Sequence, residues 1–214
     1  MDKLDYKRQY RQLYQAPAGS VTLVEVPAMN FLMIDGKGDP NSAPAYAAAL
    51  GALYAVAYTI RFMIKRGPEA IDFGVMPLEG LWWADDMAAF ATADKSAWQW
   101  TMMIMQPPCV TRSHFTAARA AAAQKKQDPA IALVRWEQFA EGRCAQIMHR
   151  GPFSEEGPTI ERVHQYIDAC GRRRGKHHEI YLSDIRKAAL ANLKTIIRQP
   201  LTLTRHNAAK GEER

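Results

Sequence analysis

The feature that most constrains the fold is an order of elements that occurs twice. Strand–strand–helix–strand–strand reads over residues 20–106 and again over 133–204 of the 214-residue chain. In the first run Val21–Val26 and Phe31–Asp35 read as strands and 43–65 as a helix, followed by strands near 71–76, 80–84 and 98–105. In the second, Val134–Phe139 and Cys144–Met148 read as strands, Pro158 to Cys170 as a helix, and 178–183 and 196–204 as closing strands. Met103-Ile104-Met105-Gln106-Pro107 echoes Ile196-Ile197-Arg198-Gln199-Pro200. Duplicated halves pack about a pseudo-twofold axis. The expectation is an α+β domain of two strand–helix–strand–strand modules forming one antiparallel sheet, with both helices on one side. The other face, or the seam between modules, is then free for a ligand.

Around this frame, Tyr6, Tyr10, Leu13 and Tyr14 are spaced for a short amphipathic helix, and 113–126 reads as a connecting helix. Asp94-Lys95-Ser96 marks a hairpin turn, and Asn41 or Ser42 is placed to cap the long helix, which Gly67-Pro68 ends. That helix holds Ala43–Ile60, a stretch without a charge. Its alanines, three tyrosines, Pro44 and Gly51 favour a buried helix, covered on most sides, over a membrane span. No signal peptide is expected at the start.

Hydrophobic residues make up 48% and charged residues 23%, the proportions of a globular protein rather than a disordered or collagen-like one. Cys109, Cys144 and Cys170 are odd in number and form no CxxC pair, which argues against a disulfide scaffold or zinc site and for a reducing, cytoplasmic setting. No metal or cofactor is expected. The net charge of +6 is partly concentrated in Arg172-Arg173-Arg174-Gly175-Lys176 and the tail 205–214. A solvated loop and a frayed tail explain these runs without nucleic acid, because no aromatic residues are interleaved with them.

Two clusters carry candidate chemistry. In His177-His178-Glu179-Ile180-Tyr181-Leu182, alternation puts His177, Glu179 and Tyr181 on one strand face and His178, Ile180 and Leu182 on the other. If the aliphatic face meets the helices, Glu179 and Tyr181 point to the opposite side. The two histidines point apart and cannot chelate one metal. The second cluster holds Glu79, Trp82, Trp83, Trp98 and Trp100, with Tyr54, Tyr58 and Phe62 on the long helix. An aromatic cleft with a carboxylate such as Glu179 or Glu79 suits a flat, apolar, often cationic ligand. A desolvated carboxylate has its pKa raised and serves to attract a cation or to act as a base toward water. Serine-hydrolase, P-loop, HExxH and dinucleotide-binding motifs are absent.

Phe31-Leu32-Met33-Ile34-Asp35-Gly36-Lys37-Gly38-Asp39-Pro40, Met76-Pro77-Leu78-Glu79-Gly80-Leu81-Trp82-Trp83, Trp98-Gln99-Trp100-Thr101-Met102-Met103-Ile104 and His177-His178-Glu179-Ile180-Tyr181-Leu182 together resemble the stand-alone GyrI-like small-molecule-binding proteins. The resemblance runs in order over about residues 4–201. It implies a single domain over 1–214, two facing modules (about 20–106 and 133–204), a ligand cleft between them, and a basic tail. Relatives act as effector-binding parts of multidrug-responsive regulators. Other stand-alone members hydrolyse the cyclopropane of DNA-alkylating natural products. The resemblance makes Glu179 the functional carboxylate and sets Trp82, Trp83, Trp100 and Tyr181 at aromatic positions. A regulator would carry a helix-turn-helix, and none is expected here; a topoisomerase inhibitor, implied only by the family name, would favour an acidic face.

The leading expectation is a binder of lipophilic aromatic or cationic small molecules. In it Glu179, with Glu79, supplies charge, and Trp82, Trp83, Trp100, Tyr58 and Tyr181 supply rings. The alternative is a cyclopropane hydrolase, with Glu179 as base toward water and Tyr181 or another donor steadying the phenolate.

Overall fold

The structure, a computed structural model, describes residues 3–85, 95–184 and 187–204. Asp94 of the expected hairpin turn and the basic tail 205–214 lie outside them. In chain order the elements begin with β1 (Lys3–Leu4), α1 (Tyr6–Gln9), α2 (Arg11–Tyr14), β2 (Thr22–Val26), β3 (Met29–Lys37) and α3 (Pro44–Arg66). Then come β4 (Asp72–Phe73), β5 (Leu78–Trp83), β6 (Gln99–Gln106), α4 (Arg112–Lys126), α5 (Ala130–Leu133) and β7 (Arg135–Phe139). The chain continues through β8 (Gly142–Arg150), α6 (Gly157–Cys170), β9 (Gly171–Arg173), β10 (His177–Tyr181) and β11 (Lys194–Leu203). Both runs of elements are present, and the class is α+β. The N-terminal helix is two single turns, and only Asp72–Phe73 of 71–76 is a strand, paired in parallel with β1.

The chain forms two compact units, Met1–Gln9 with Met29–Phe139, and Tyr10–Ala28 with Ala140–Arg214. These bounds differ from the two sequence runs. β2 lies in the first run but pairs with β8; β7 lies in the second but pairs with β3.

The first unit has an antiparallel sheet in the order β5-β6-β3-β7. Residues directly opposite across a ladder share a face. Leu78, Gly80 and Trp82 of β5 therefore lie with Ile104, Met102 and Trp100 of β6 and with Leu32, Ile34 and Gly36 of β3. Tyr46 of α3 meets Trp100 edge-on at 5.2 Å, so α3 covers this face. The helix forms because alanine dominates its first half and Pro44 sits in its first turn, while Lys65 and Arg66 complement its C-terminal dipole.

Ala49, Ala52, Leu53, Val56, Ala57, Ile60 and Ile64 of α3 are buried, but Tyr58 and Phe62 are 48% and 40% exposed. The helix is thus covered on one face rather than on most sides. Among the described residues it is the one helix long and apolar enough to cross a membrane. Its N-cap is Ala43, without a side-chain bond. Asn41 instead turns back, its backbone N–H donating to the Asp39 carboxylate at 2.9 Å.

The second unit has the antiparallel order β2-β8-β11-β10, with β9 added along the later part of β11. Ala145 and Ile147 of β8, Ile197 and Leu201 of β11, and Val163 and Ile167 of α6 form one buried cluster, which fixes α6 on that face. The Arg172–Arg174 run is exposed, as expected, but is not a loop throughout: Arg172 and Arg173 lie in β9, and Arg174 donates to the carbonyls of Glu141 and Leu201.

Candidate functional site

β10 alternates as its sequence dictates, and the two faces have different chemistry. Glu179 is register-paired with Ile197 and Tyr181 with Thr195. Since Ile197 belongs to the cluster under α6, Glu179 and Tyr181 lie on the helix-bearing face of their unit, not on the face opposite. The reason is what occupies the other face. There His178 faces Arg198, which faces Gln146, and all three are buried. His178 Nδ1 lies 3.0 Å from both Glu141 oxygens, and Arg198 Nη1 is 3.4 Å from Glu141 Oε2. Arg198 also donates to Gln146 Oε1 and to the Leu13 carbonyl, and Gln146 donates to the Gln12 carbonyl. Every charge in this network has a partner, which is the condition for burying it. That face holds a filled polar core.

On the α6 face, Tyr181 Oη donates to Glu179 Oε2 at 2.7 Å and His177 Nε2 donates to Glu179 Oε1 at 3.0 Å. The carboxylate side chain is 14% exposed and the imidazole 9%. Burial pushes the Glu179 pKa up. The His177 hydrogen bond and charge, the Tyr181 hydroxyl and the nearby His178 outweigh it and hold the carboxyl below the usual carboxylate value. Glu179 is therefore ionised at neutral pH, contrary to the raised pKa expected for a carboxylate without a cation. Because a carboxylate only accepts, Nε2 of His177 carries its proton. The edge of the Tyr181 ring meets Phe153, 40% exposed, with centroids 5.6 Å apart. Phe153 sits in a short 3-10 turn that follows Gly151 and Pro152.

The remaining predicted residues lie in the first unit and divide between faces. Trp82 and Trp100 are directly opposed and share the α3 face with Tyr46, whose ring lies 6.1 Å from Trp82; Trp98 meets Trp82 at 5.8 Å. Trp100 Nε1 donates to the Gly38 carbonyl at 3.3 Å. Trp83 and Glu79 point to the other face, Glu79 opposite Met103 and only 1% exposed. Tyr58 lines a different hollow of about 500 Å³ with Lys3, Lys7, Arg61 and Met76. So Glu179 is brought together with Tyr181, and Trp82 with Trp100; Trp83 and Glu79 lie on the opposite face of their sheet from Trp82, and Tyr58 lines the separate hollow. Sequence reasoning missed His177 as the partner of Glu179 and Tyr46 as a partner of the indoles. The i, i+2 spacing of His177 and Glu179 on a strand was the available signal. No group of three His, Cys, Asp or Glu among the described residues is arranged to hold a metal.

The chain thus combines an antiparallel α+β fold with a nearly buried, ionised carboxylate beside the Tyr181 ring. Residues 20–202 match the GyrI-like small molecule binding domain, and the chain belongs to that family. No curated protein matches it. Among solved structures, an uncharacterised conserved protein from Listeria innocua is 41% identical, with a TM-score of 0.84 over 93% of this chain and 100% of its own. A protein described as a hydrolase from the same organism is also 41% identical, with a TM-score of 0.79 over the same shares. The C-terminal domain of EcmrR is 11% identical, with a TM-score of 0.53 over 86% of this chain and 98% of its own, a likeness of fold alone.

Proposed function

We propose that this protein is a hydrolase of strained, electrophilic aromatic small molecules, with Glu179 as the base toward water. The observation that carries the reading is the Glu179 carboxylate, ionised and nearly buried, fixed by Tyr181 at 2.7 Å and His177 at 3.0 Å. The description of a 41%-identical structure as a hydrolase supports it. The substrate class is a cyclopropane joined through a shared spiro carbon to a cross-conjugated dienone. Water attacks the ring methylene as the C–O bond forms and the strained C–C bond breaks. The electron pair of that bond moves into the dienone and leaves a phenolate, while the proton of water passes to Glu179. A carboxyl group with a low pKa returns that proton readily to a phenolate, whose conjugate acid has a pKa near 10, so the sum is addition of one water. Ring strain lets a weak base suffice. Tyr181 and His177 set the carboxylate geometry before substrate arrives.

The second reading is sequestration of lipophilic aromatic or cationic molecules. The ionised state of Glu179 beside the Tyr181 and Phe153 rings favours it, since carboxylate and ring faces both attract a desolvated cation. Incubation with a cyclopropane-bearing dienone, followed by mass spectrometry for the water adduct, separates the two. Under the hydrolase reading the wild type forms the adduct and Glu179→Gln lowers kcat by about 10²–10⁴-fold. Adduct formed equally well by Glu179→Gln removes Glu179 from the mechanism. No adduct, with a lipophilic quaternary cation bound by the wild type and tenfold more weakly by Glu179→Gln, establishes the binder.

A further inference from the structure

We infer that Thr195 is a second polar contact of this site, a hydroxyl donor to the ligand oxygen on which negative charge develops. The inference rests on the Glu179 reading and supplies a group that reading lacks. A phenolate forming in a site shielded from water needs a donor. Tyr181 is the obvious one by sequence, but its hydroxyl already donates to Glu179.

The polar side chains sharing that sheet face can be followed strand by strand. His177 Nε2 is held by Glu179. His149, which faces Thr195 from β8, has Nδ1 at 3.0 Å from the Thr159 hydroxyl and Nε2 at 3.2 Å from the Pro152 carbonyl. Gln199 donates its amide to the Arg174 carbonyl at 2.7 Å. Arg143 bonds Glu25 at the edge of the sheet. Thr195 alone of these has no partner: it is 0% exposed, and among the described residues its Oγ1 makes no hydrogen bond.

Buried hydroxyls are nearly always satisfied, and one with no protein partner is completed by a water or by a ligand group that replaces it. The register places it: Tyr181 is directly opposite Thr195 on one side and His149 on the other. Cross-strand neighbours have Cβ atoms about 4.5–5.5 Å apart, so one ligand ring spans from Glu179 across Tyr181 to Thr195. Because Oγ1 is now covered, a ligand oxygen reaches it by displacing the cover. The ligand oxygen with that chemistry is the dienone carbonyl oxygen on its way to phenolate.

The test uses the full chain, the cyclopropane-bearing dienone and three variants. Thr195→Val keeps the shape and removes the hydroxyl. Removing an unsatisfied buried hydroxyl leaves the thermal midpoint unchanged or raises it, while kcat/KM falls about a hundredfold; Thr195→Ser restores most of the turnover. A purely structural threonine gives the opposite pattern, with a lower midpoint and turnover within twofold of wild type, and that result overturns the inference. Glu179→Gln, run alongside, separates the two failures. If it loses turnover while Thr195→Val does not, only the Thr195 assignment falls. If it retains turnover, or the wild type shows none, the hydrolase reading falls and this inference with it.

Discussion

Position 178 shows how much a single side chain can hide from sequence. Alternation along His177–Leu182 read correctly which side chains share a face, because a strand has a period of two regardless of context. What each face meets was not legible. His178 is held by Glu141, 37 residues earlier, and by proximity to Arg198 and Gln146, none of which has a local signature. The same network carries a pH dependence. Burial raises the Glu141 pKa, but His178 and Arg198 outweigh it and hold the carboxyl below its usual value. The unfolded chain then takes up the proton first as pH falls. The stabilisation from Glu141 is complete above about pH 4.3, the ordinary glutamate value, and is lost as pH drops through the lower folded value. Glu141→Gln should lower stability at pH 7 by about 3–5 kcal/mol, since it leaves Arg198 without its counter-charge. Urea midpoints measured from pH 7 to pH 3 should fall less steeply for the variant than for the wild type. An equal slope would show that Glu141 does not titrate as described.

Elements were legible where periodicity is long and ambiguous where a short segment depends on a distant partner. The span of α3 followed from its composition and its Pro and Gly ends, whereas β9 exists only because β11 offers Leu201–Leu203 as an edge. The packing of β3 against β6 was likewise invisible, although Gly36 marked it. A Cβ at Gly36 would lie 2.1 Å from Cη2 of Trp100, so the indole lies flat against bare backbone. Gly36→Ala should destabilise the fold by about 1–3 kcal/mol through overpacking. Trp100→Phe removes the ring atoms that clash, so the double variant should be less destabilised than the sum of the two single changes. Denaturant midpoints of the three proteins test this, and additivity within about 0.5 kcal/mol would mean the two residues do not press on one another.

At the scale of the whole chain, the repeated order of elements was correct, yet the units cut across it. Hydrophobic patterning tells where a strand is but not which edge it joins. β2, Thr22–Val26, closes the outer edge of β8 from the far end of the sequence. The segment before it gives the Gln12 and Leu13 carbonyls to Gln146 and Arg198. A fragment of residues 140–214 would therefore lack a strand, bare the edge of β8 and leave two buried polar side chains short of acceptors. An open edge recruits other chains, and an unsatisfied buried group costs about 1–3 kcal/mol each. The fragment should be unfolded or aggregated by circular dichroism and sedimentation. Adding a synthetic peptide of residues 10–28 should restore sheet signal and a cooperative melt, because it returns both the strand and the acceptors. The same peptide with Val24→Pro should fail, since proline at the middle of β2 removes a ladder donor and strains the pairing. A fragment that folds cooperatively without the peptide would show that β2 is an accessory to this unit rather than part of what specifies it.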